Sequence, residues 1–231
     1  MYNIDWFSFE NKDLDFPFYK KNPYMPKWGW IILFFAAGLG FIVASGESLV
    51  FGLIGCCISI IPVLYFLKWD YKAIFQMPKA KEIALAVGLF VGYMIYAFVM
   101  DTALVALSIP SATLVDESTT TIWSIPPLFF SLMGEEFIKF VPFMFFLRIF
   151  YKYTDNRKLS VIVSMLLVML GFAYLHALDP KFLLYAFCMQ GLGSIFEFIG
   201  YIKTKNILIS YITHLCTDVF IFAMIIMGVA V

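Results

Sequence analysis

The chain has little charge. Only 14% of its 231 residues are Asp, Glu, Lys or Arg, and the acidic and basic residues balance to a formal net charge of zero. A soluble domain carries about 25% charged residues, so this chain lacks the polar surface that a protein of its size needs in water. The scattered Lys and Arg also form no basic stripe, which argues against nucleic acid as a partner.

Cysteine is scarce as well. All four cysteines lie in apolar segments, and none forms a C-x-x-C pair or a spacing typical of disulfides: Cys56, Cys57, Cys188 and Cys216. We interpret them as small residues compatible with lipid. The N-terminal residues show no cleavable signal pattern, and their aromatic side chains and lysines predict a cytoplasmic interfacial segment over 1–27.

Apolar residues dominate the remainder, since 62% of the chain is hydrophobic and 19% is aromatic. A helix that spans a bilayer needs about 20 mainly apolar residues. Seven stretches meet this requirement: about 28–46, 49–67, 83–107, 122–147, 159–178, 182–202 and 207–230. The sequence therefore predicts an all-α, polytopic transmembrane helical bundle over 28–231, a multi-pass protein of the cell membrane in contact with lipid.

The distribution of Lys and Arg predicts the orientation of these spans. Fourteen of the 16 basic residues fall in the N-terminal segment and in alternate loops, whereas Lys181 lies on the other side and Lys139 lies inside a span. Because basic loops tend to stay in the cytoplasm, we expect the N-terminus there and the C-terminus outside. The 108–121 loop, with Asp116 and Glu117, is expected outside.

Ionisable residues inside the predicted spans are the main functional signal. A charged group at bilayer depth costs at least ~2.5–3.5 kcal/mol on insertion scales, and such groups usually face a bundle interior. Three clusters qualify, and they contain the only two histidines of the chain: 134–139 (Gly-Glu-Glu-Phe-Ile-Lys), 172–176 (Phe-Ala-Tyr-Leu-His) and 214–218 (His-Leu-Cys-Thr-Asp).

Helical spacing predicts different roles for the two glutamates of the first cluster. Glu135 and Lys139 are four residues apart, so they share a helix face and are expected to neutralise each other. Glu136 lies about 100° around the helix from Glu135. One carboxylate is therefore expected to do chemistry while the other holds a neighbouring group.

The two histidine clusters have the same four-residue spacing, between Phe172 and His176 and between His214 and Asp218. A carboxylate screened from bulk water works as a general base, and an imidazole across the bundle can share its water and pass a proton to a leaving amine. An Asp behind a second His fixes its tautomer and lets it donate to a developing oxyanion. These are the parts that peptide hydrolysis needs.

Plainer explanations apply to single residues in these spans. A lone Glu–Lys pair is more often structural than catalytic, and a lone His near a helix end is more often packed. Asp101 and Glu197 are interpreted as acids that reach the membrane interface, and Gln190 with Gly191 and Gly193 as a point of close helix packing. The joint occurrence of three clusters is what favours a functional site.

The order Glu-Glu, then Phe-x-x-x-His, then His-x-x-x-Asp resembles the CPBP (CAAX protease, Abi) family of intramembrane proteases. Phe172 to His176 matches the second motif of that family and His214 to Asp218 the third, and residues 200–207 resemble its polar turn before the last motif. The resemblance covers about 122–220, which it marks as the catalytic core. The family pattern Glu-Glu-x-x-x-Arg is not kept, because position 140 is Phe and the base is Lys139.

That first motif, Glu-Glu-x-x-Lys, is closer to PrsW-type proteases, which usually have a Glu where this chain has His176. The resemblance implies a metal-independent glutamic-type endopeptidase without a cofactor. It implies that Glu135 activates water with help from His176, and that His214 and Asp218 support the oxyanion. It also implies that Glu136 and Lys139 orient the site, with Phe172 as part of the second motif.

Two other functions stay open at this point. Two imidazoles and a carboxylate could hold zinc with one open position, which would make the chain an intramembrane metalloprotease, although no His-Glu-x-x-His motif is present. Intramembrane His and Glu also form proton relays, so a proton-coupled transporter or a non-catalytic scaffold is the third alternative. The substrate is expected to be a peptide or a membrane protein, prenylated or not, and the oligomeric state is not encoded in any pattern.

The depths of the three clusters do not agree if the helices are straight. Counted at about 1.5 Å per residue from the predicted cytoplasmic ends, Glu135 lies roughly 20 Å deep, His176 roughly 26 Å and His214 about 12 Å. Tilted helices, or a chain break at Asp179 and Pro180 within the membrane, would reduce the mismatch. We predict that both histidines and Glu135 meet in one cavity.

Overall fold

The computed structural model describes residues 9–10, 14–19, 25–46, 48–111, 119–177 and 179–228, and within these ranges it is helical, without strands. The main helices are α1 (Lys27–Ala44), α2 (Leu49–Phe66), α3 (Ala80–Ala106), α4 (Ile125–Thr154), α5 (Arg157–Leu175), α6 (Pro180–Thr204) and α7 (Ile207–Ile226). Short 3₁₀ turns, Tyr71–Ala73 and Ile122–Ser124, precede α3 and α4. The predicted all-α bundle is confirmed. Asp116 and Glu117 lie outside the described residues, as do Lys12, Lys20 and Lys21.

Six of these helices, all except α4, are long and apolar enough to cross a membrane. They expose large apolar side chains, such as Ile31, Phe35 and Phe98, that would be costly to leave in water. The chain is thus a multi-pass membrane protein. Helix α4 differs because Glu135, Glu136 and Lys139 interrupt its apolar stretch, but at 30 residues it is about 45 Å long. It packs against α1, α2, α5 and α7, so its charged residues are shielded from lipid.

Helix α6 is composite. It combines a 3₁₀ turn, a short α-helix, a π turn, a second 3₁₀ turn and a final α-helix: Pro180–Phe182, Leu183–Ala186, Phe187–Gly191, Leu192–Ser194 and Ile195–Thr204. The hydroxyl of Tyr96 on α3 donates to the carbonyl of Cys188 in the π turn over 2.6 Å. A Cβ added at Gly191 would lie 3.0 Å from both the Ala173 Cβ and the Met169 carbonyl, so the predicted close helix packing occurs here, against α5.

Two tight turns share one local design. The α4–α5 turn reads Thr-Asp-Asn and the α6–α7 turn reads Thr-Lys-Asn. In each, the middle residue (Asp155 or Lys205) adopts a left-handed conformation that ends one helix, and the Asn side chain caps the next, accepting from the Leu159 or Leu208 amide. These turns make α4 antiparallel to α5 and α6 antiparallel to α7.

Both turns lie at the same end of the bundle as the α2–α3 loop, since the Asn206 side chain bonds the backbone of Gln76 and Glu10 bridges Arg157 and Lys205. We call this end, with its loops over 67–79, 154–157 and 204–206, the basic end. It matches the side on which the Lys/Arg count predicts the cytoplasm.

The described residues of the N-terminal segment do not lie loosely against the bundle. Phe16, Phe18 and Tyr19 are buried in the hydrophobic core together with residues of α1, α4 and α6. The Arg148 guanidinium donates to the Phe18 carbonyl over 3.2 Å. The rings of Phe16, Phe18 and Tyr19 are thus packed between helices, where apolar surface is removed from water. The interfacial position of 1–27 as a whole stays a prediction.

Close contact between α1 and α2 supplies a test of the packing. A Cβ added at Gly40 would overlap the Ser59 side chain and lie 2.7 Å from the Gly55 carbonyl, whereas one added at Gly38 would meet nothing within 4 Å. We expect Gly40→Ala to lower the free energy of unfolding by about 1–3 kcal/mol through overpacking. Gly38→Ala, the matched control, should leave it unchanged or raise it by up to about 1 kcal/mol.

Thermal or denaturant unfolding in detergent measures both variants. Equal stability of Gly40→Ala and Gly38→Ala would contradict the close α1–α2 packing.

Candidate functional site

A buried ammonium group joins three helices. The Lys139 Nζ on α4 donates to Glu136 Oε1 over 2.6 Å and to Glu197 Oε2 on α6, and it lies 3.5 Å from Nδ1 of His214 on α7. Glu136, Lys139 and Glu197 are all at least nine-tenths buried. Buried ions persist only when paired and hydrogen-bonded, so these contacts fix α4, α6 and α7 relative to one another.

Both carboxylate oxygens of Glu136 are hydrogen-bonded to neighbouring side chains. Its Oε1 accepts from Lys139 and lies 2.9 Å from Nδ1 of His214, and its Oε2 accepts from the hydroxyl of Ser210. Because a carboxylate can only accept, the Nδ1 of His214 carries its proton in this contact. Glu136 therefore performs the tautomer-fixing task that the sequence assigns to Asp218.

The opposite nitrogen of His214 faces two less engaged carboxylates. Its Nε2 lies 3.8 Å from Glu135 Oε2 and 3.8 Å from Asp218 Oδ1. These separations are too long for direct hydrogen bonds, and a gap of this kind is commonly bridged by water. The side chains of Glu135 and Asp218 are 20% and 27% exposed, against 3% for Glu136. We call the side with Glu136, whose two oxygens are both hydrogen-bonded, the inner side of the cluster. The side with the partly exposed Glu135 and Asp218 is the open side.

His176 lies at the depth of Glu135 on the neighbouring helix. The Phe172 ring on α5 has the Lys139 Nζ 4.8 Å from its centroid and the His176 ring at 4.4 Å between centroids. Since α4 and α5 are antiparallel, Glu135 (four residues before Lys139) and His176 (four after Phe172) both lie about 6 Å further from the basic end. The predicted difference in depth between Glu135 and His176 is therefore wrong.

The tautomer of His176 is also fixed. Its Nδ1 lies 2.9 Å from the Phe172 carbonyl, which can only accept, so Nδ1 carries the proton and Nε2 is left as the acceptor. Phe172 stands between His176 and Lys139. Among the described residues, His176 has no direct bond to Glu135 or His214, so the structure brings Glu135 and His214 together and holds His176 at the same depth beside them.

Tyr93 on α3 is a site residue without a sequence signal. Its ring closes over Gly193, where an added Cβ would lie 2.7 Å from the ring. The ring also lies within electrostatic reach of Asp218 and Glu197. Its hydroxyl makes no hydrogen bond to any described residue, which leaves an O–H donor beside the open side of the cluster.

Two sequence interpretations need correction. Lys139 pairs with Glu136 and Glu197, and the expected pairing with Glu135 is wrong because the Glu135 carboxylate faces Nε2 of His214 instead. Glu197 does not reach for the interface; it is a central member of the cluster. The signal that could have found it was available, since a Glu within the apolar run of α6 meets the same rule as Glu135. Ser210 was identifiable too, being four residues before His214 on one face of α7.

Glu136, Glu197 and His214 also form a group with the composition of a metal site, because their ligand atoms lie within 4.8 Å of one another. The Lys139 ammonium bonds two of the three residues and lies 3.5 Å from the third. A divalent cation bound here would have to displace this ammonium or lie beside it at a strong electrostatic cost. The arrangement is that of a carboxylate–imidazole cluster with an internal cation.

Replacement of Lys139 by an uncharged residue should strongly lower the free energy of unfolding. In Lys139→Met, Glu136 and Glu197 would stay buried without their counter-ion, and breaking a buried pair in this way costs about 3–5 kcal/mol. The matched control is Lys181→Met, because the Lys181–Asp179 pair is solvent-exposed and should change stability little.

Unfolding in detergent compares the two variants. Adding Glu197→Gln to Lys139→Met should restore part of the loss, since one buried charge is then removed. A Lys139→Met protein as stable as the Lys181→Met control would show that the cluster does not depend on the ammonium.

No family model, no curated protein and no solved structure matches this chain. The functional assignment therefore depends on the geometry of Glu135, Glu136, Lys139, Glu197 and His214 and on the order of the three motifs along the chain.

Proposed function

We propose that the chain is an intramembrane endopeptidase of the glutamic type, which hydrolyses peptide bonds of membrane-associated substrates in the cell membrane. The observation that carries the proposal is the gap between Glu135 Oε2 and His214 Nε2, 3.8 Å wide and next to the partly exposed Asp218. A water molecule in this gap would have both a carboxylate to accept its proton and an imidazole to orient it.

The first step is water attack. Glu135 accepts a proton from the water as the oxygen bonds to the carbonyl carbon of the scissile peptide, and the carbonyl oxygen becomes an oxyanion. His214, in its protonated form, donates from Nε2 to that oxyanion. Glu136 keeps the imidazole oriented through Nδ1 at 2.9 Å. The Tyr93 hydroxyl is a second donor available on the same side.

The second step breaks the peptide bond. The leaving nitrogen needs one proton as the C–N bond cleaves, and Glu135 holds the proton taken from water. His176, whose Nε2 is free to accept and return a proton at the same depth, is the group that assists this transfer. Products are a carboxylic acid and an amine, and no metal or redox cofactor takes part.

Lys139 and Glu197 act indirectly in this scheme. Lys139 bonds both Glu197 on α6 and Glu136, and Glu136 in turn bonds Ser210 and His214 on α7. These bonds hold α4, α6 and α7 in register, which sets the Glu135–His214 separation. A small displacement of any of these helices would change that gap, and misplacement of catalytic groups by about 1 Å can reduce a rate about a hundredfold.

Substitution of Glu135 tests the base directly. We expect Glu135→Gln to lower cleavage of a membrane-protein substrate in detergent or liposomes by about a hundredfold or more, because an amide cannot accept the proton of water. The matched control is Asp101→Asn, an acid-to-amide change in α3 that keeps an acceptor for the Tyr185 hydroxyl and should leave cleavage unchanged.

Activity of Glu135→Gln at the level of the Asp101→Asn control would overturn the proposal. Proton flux in liposomes that requires Glu135, without any proteolysis, would instead support a proton-coupled transporter. Both readouts use the same purified proteins.

Metal dependence is a separate prediction. Because the Lys139 ammonium occupies the centre of the Glu136, Glu197 and His214 group, we expect purified protein to contain far less than one zinc per chain and cleavage to resist chelators. Elemental analysis with chelator titration measures this. About one zinc per chain together with chelator-sensitive cleavage would identify a metalloprotease instead.

A further inference from the structure

The N-terminal segment brings a carboxylate to two cations at the basic end. Within the N-terminal segment, the residues that make these contacts lie in 9–10 and 14–19. The Glu10 carboxylate accepts from Arg157 Nε over 2.5 Å, from Arg157 Nη2 over 3.3 Å and from Lys205 Nζ over 3.2 Å. Arg157 begins α5 and Lys205 is in the α6–α7 turn, so one carboxylate links two different helix hairpins.

The Lys205 ammonium depends on an anion. Its side chain is only 1% exposed, and besides Glu10 it donates to the Ile202 carbonyl and lies 4.1 Å from the centroid of the Phe16 ring. Burial lowers the pKa of Lys205 to about 8, and Glu10 opposes that change. A carboxylate that took the place of Glu10 would bind this buried ammonium favourably.

Phe16 separates two cavities. A small cavity reaches the buried cluster and is lined by Glu136, Lys139, Phe143, Glu197, Tyr201 and neighbouring apolar residues. The Phe16 ring packs on two of its walls, 5.8 Å from Phe143 and 5.9 Å from Tyr201 between centroids. Phe16 also lines a large open cavity at the basic end, together with Lys68, Lys72 and Lys205.

The segment can leave without unfolding a helix. Its described residues contain no helix or strand. It is held by the Glu10 and Asp15 carboxylates on Arg157, by the buried Phe16 and Phe18 rings, by the Phe18 carbonyl on Arg148, and by the Tyr19 ring against Tyr151 at 4.6 Å. Displacement would vacate an apolar channel next to two cations.

We propose that Arg157 and Lys205 form a carboxylate-binding site for acidic, aromatic peptide segments of substrates, and that the N-terminal segment occupies this site in cis through Glu10 and Phe16. This inference rests on the proposed function. Displacement of the N-terminal segment would join the two cavities and open a path from the basic end to the inner side of the cluster. The segment itself shows the ligand chemistry: a carboxylate followed by an aromatic ring.

Thiol labelling tests the cis occupancy without any need for proteolysis. The four native cysteines are replaced by Ser in the full chain, and Ile207→Cys is introduced as a reporter in the wall of the small cavity. We expect a water-soluble thiol reagent to label this reporter at least about tenfold faster in Glu10→Gln, which loses the charged bonds that hold the segment. Phe16→Ala, a second variant that removes only the ring, should also accelerate labelling.

Asp155→Asn is the matched control, an acid-to-amide change at the same end of the bundle. Asp155 is exposed in the α4–α5 turn, and Asn tolerates its left-handed conformation, so labelling should stay close to that of the parent. Labelling equally slow in Glu10→Gln, Phe16→Ala and the parent would overturn the proposal.

The ligand chemistry is tested by a peptide added in trans. A synthetic peptide of residues 9–19 should slow labelling of the Glu10→Gln variant back toward the parent rate, and the same peptide with Gln at position 10 should not. Equal protection by both peptides would exclude a carboxylate site. Glu135→Gln should abolish cleavage and leave labelling unchanged, so a failure of the proposed protease function and a failure of this site give different results.

Discussion

The Lys139 ammonium holds the centre of this bundle, with bonds to carboxylates on α4 and α6 and a contact of 3.5 Å to an imidazole on α7. A charge at this depth is tolerated only with such partners. Helix α4 is consequently enclosed by other helices, and Gly40, Gly55 and Gly191 allow the close packing that encloses it. The remaining charged residues of the cluster are arranged around this ammonium.

The two sides of the cluster have different chemistry for this reason. Toward the basic end, Glu136 has every oxygen bonded and Glu197 pairs with Lys139, so this side is rigid. Away from that end, Glu135 and Asp218 flank an imidazole nitrogen at 3.8 Å and are partly exposed. One side therefore fixes the distances within the cluster, and the other side leaves Glu135 and Asp218 accessible. The N-terminal segment closes the basic end with Phe16 and Glu10.

Much of the fold was predictable because lipid imposes simple requirements. Apolar length located all seven helices to within a few residues, apart from the end of α4, which continues to Thr154 because Arg148 and Lys152 lie at the basic end, where charge is tolerated. The site was predictable only in part. The i,i+4 rule associated Glu135 with Lys139, but Glu136 and Glu197 are nearer to the ammonium, since side-chain direction and a neighbouring helix decide the pairing.

The sequence by itself determined an all-α membrane protein, its one-sided distribution of basic residues, and the intramembrane positions of Glu135, His176 and His214. Those properties follow from composition and helical period, which are local. Only the tertiary structure decided that Glu197 and Ser210 join the cluster, that Glu136 rather than Asp218 fixes His214, and that Phe16 and Glu10 enter the bundle. These contacts join residues more than fifty positions apart, and no local pattern encodes which helices become neighbours.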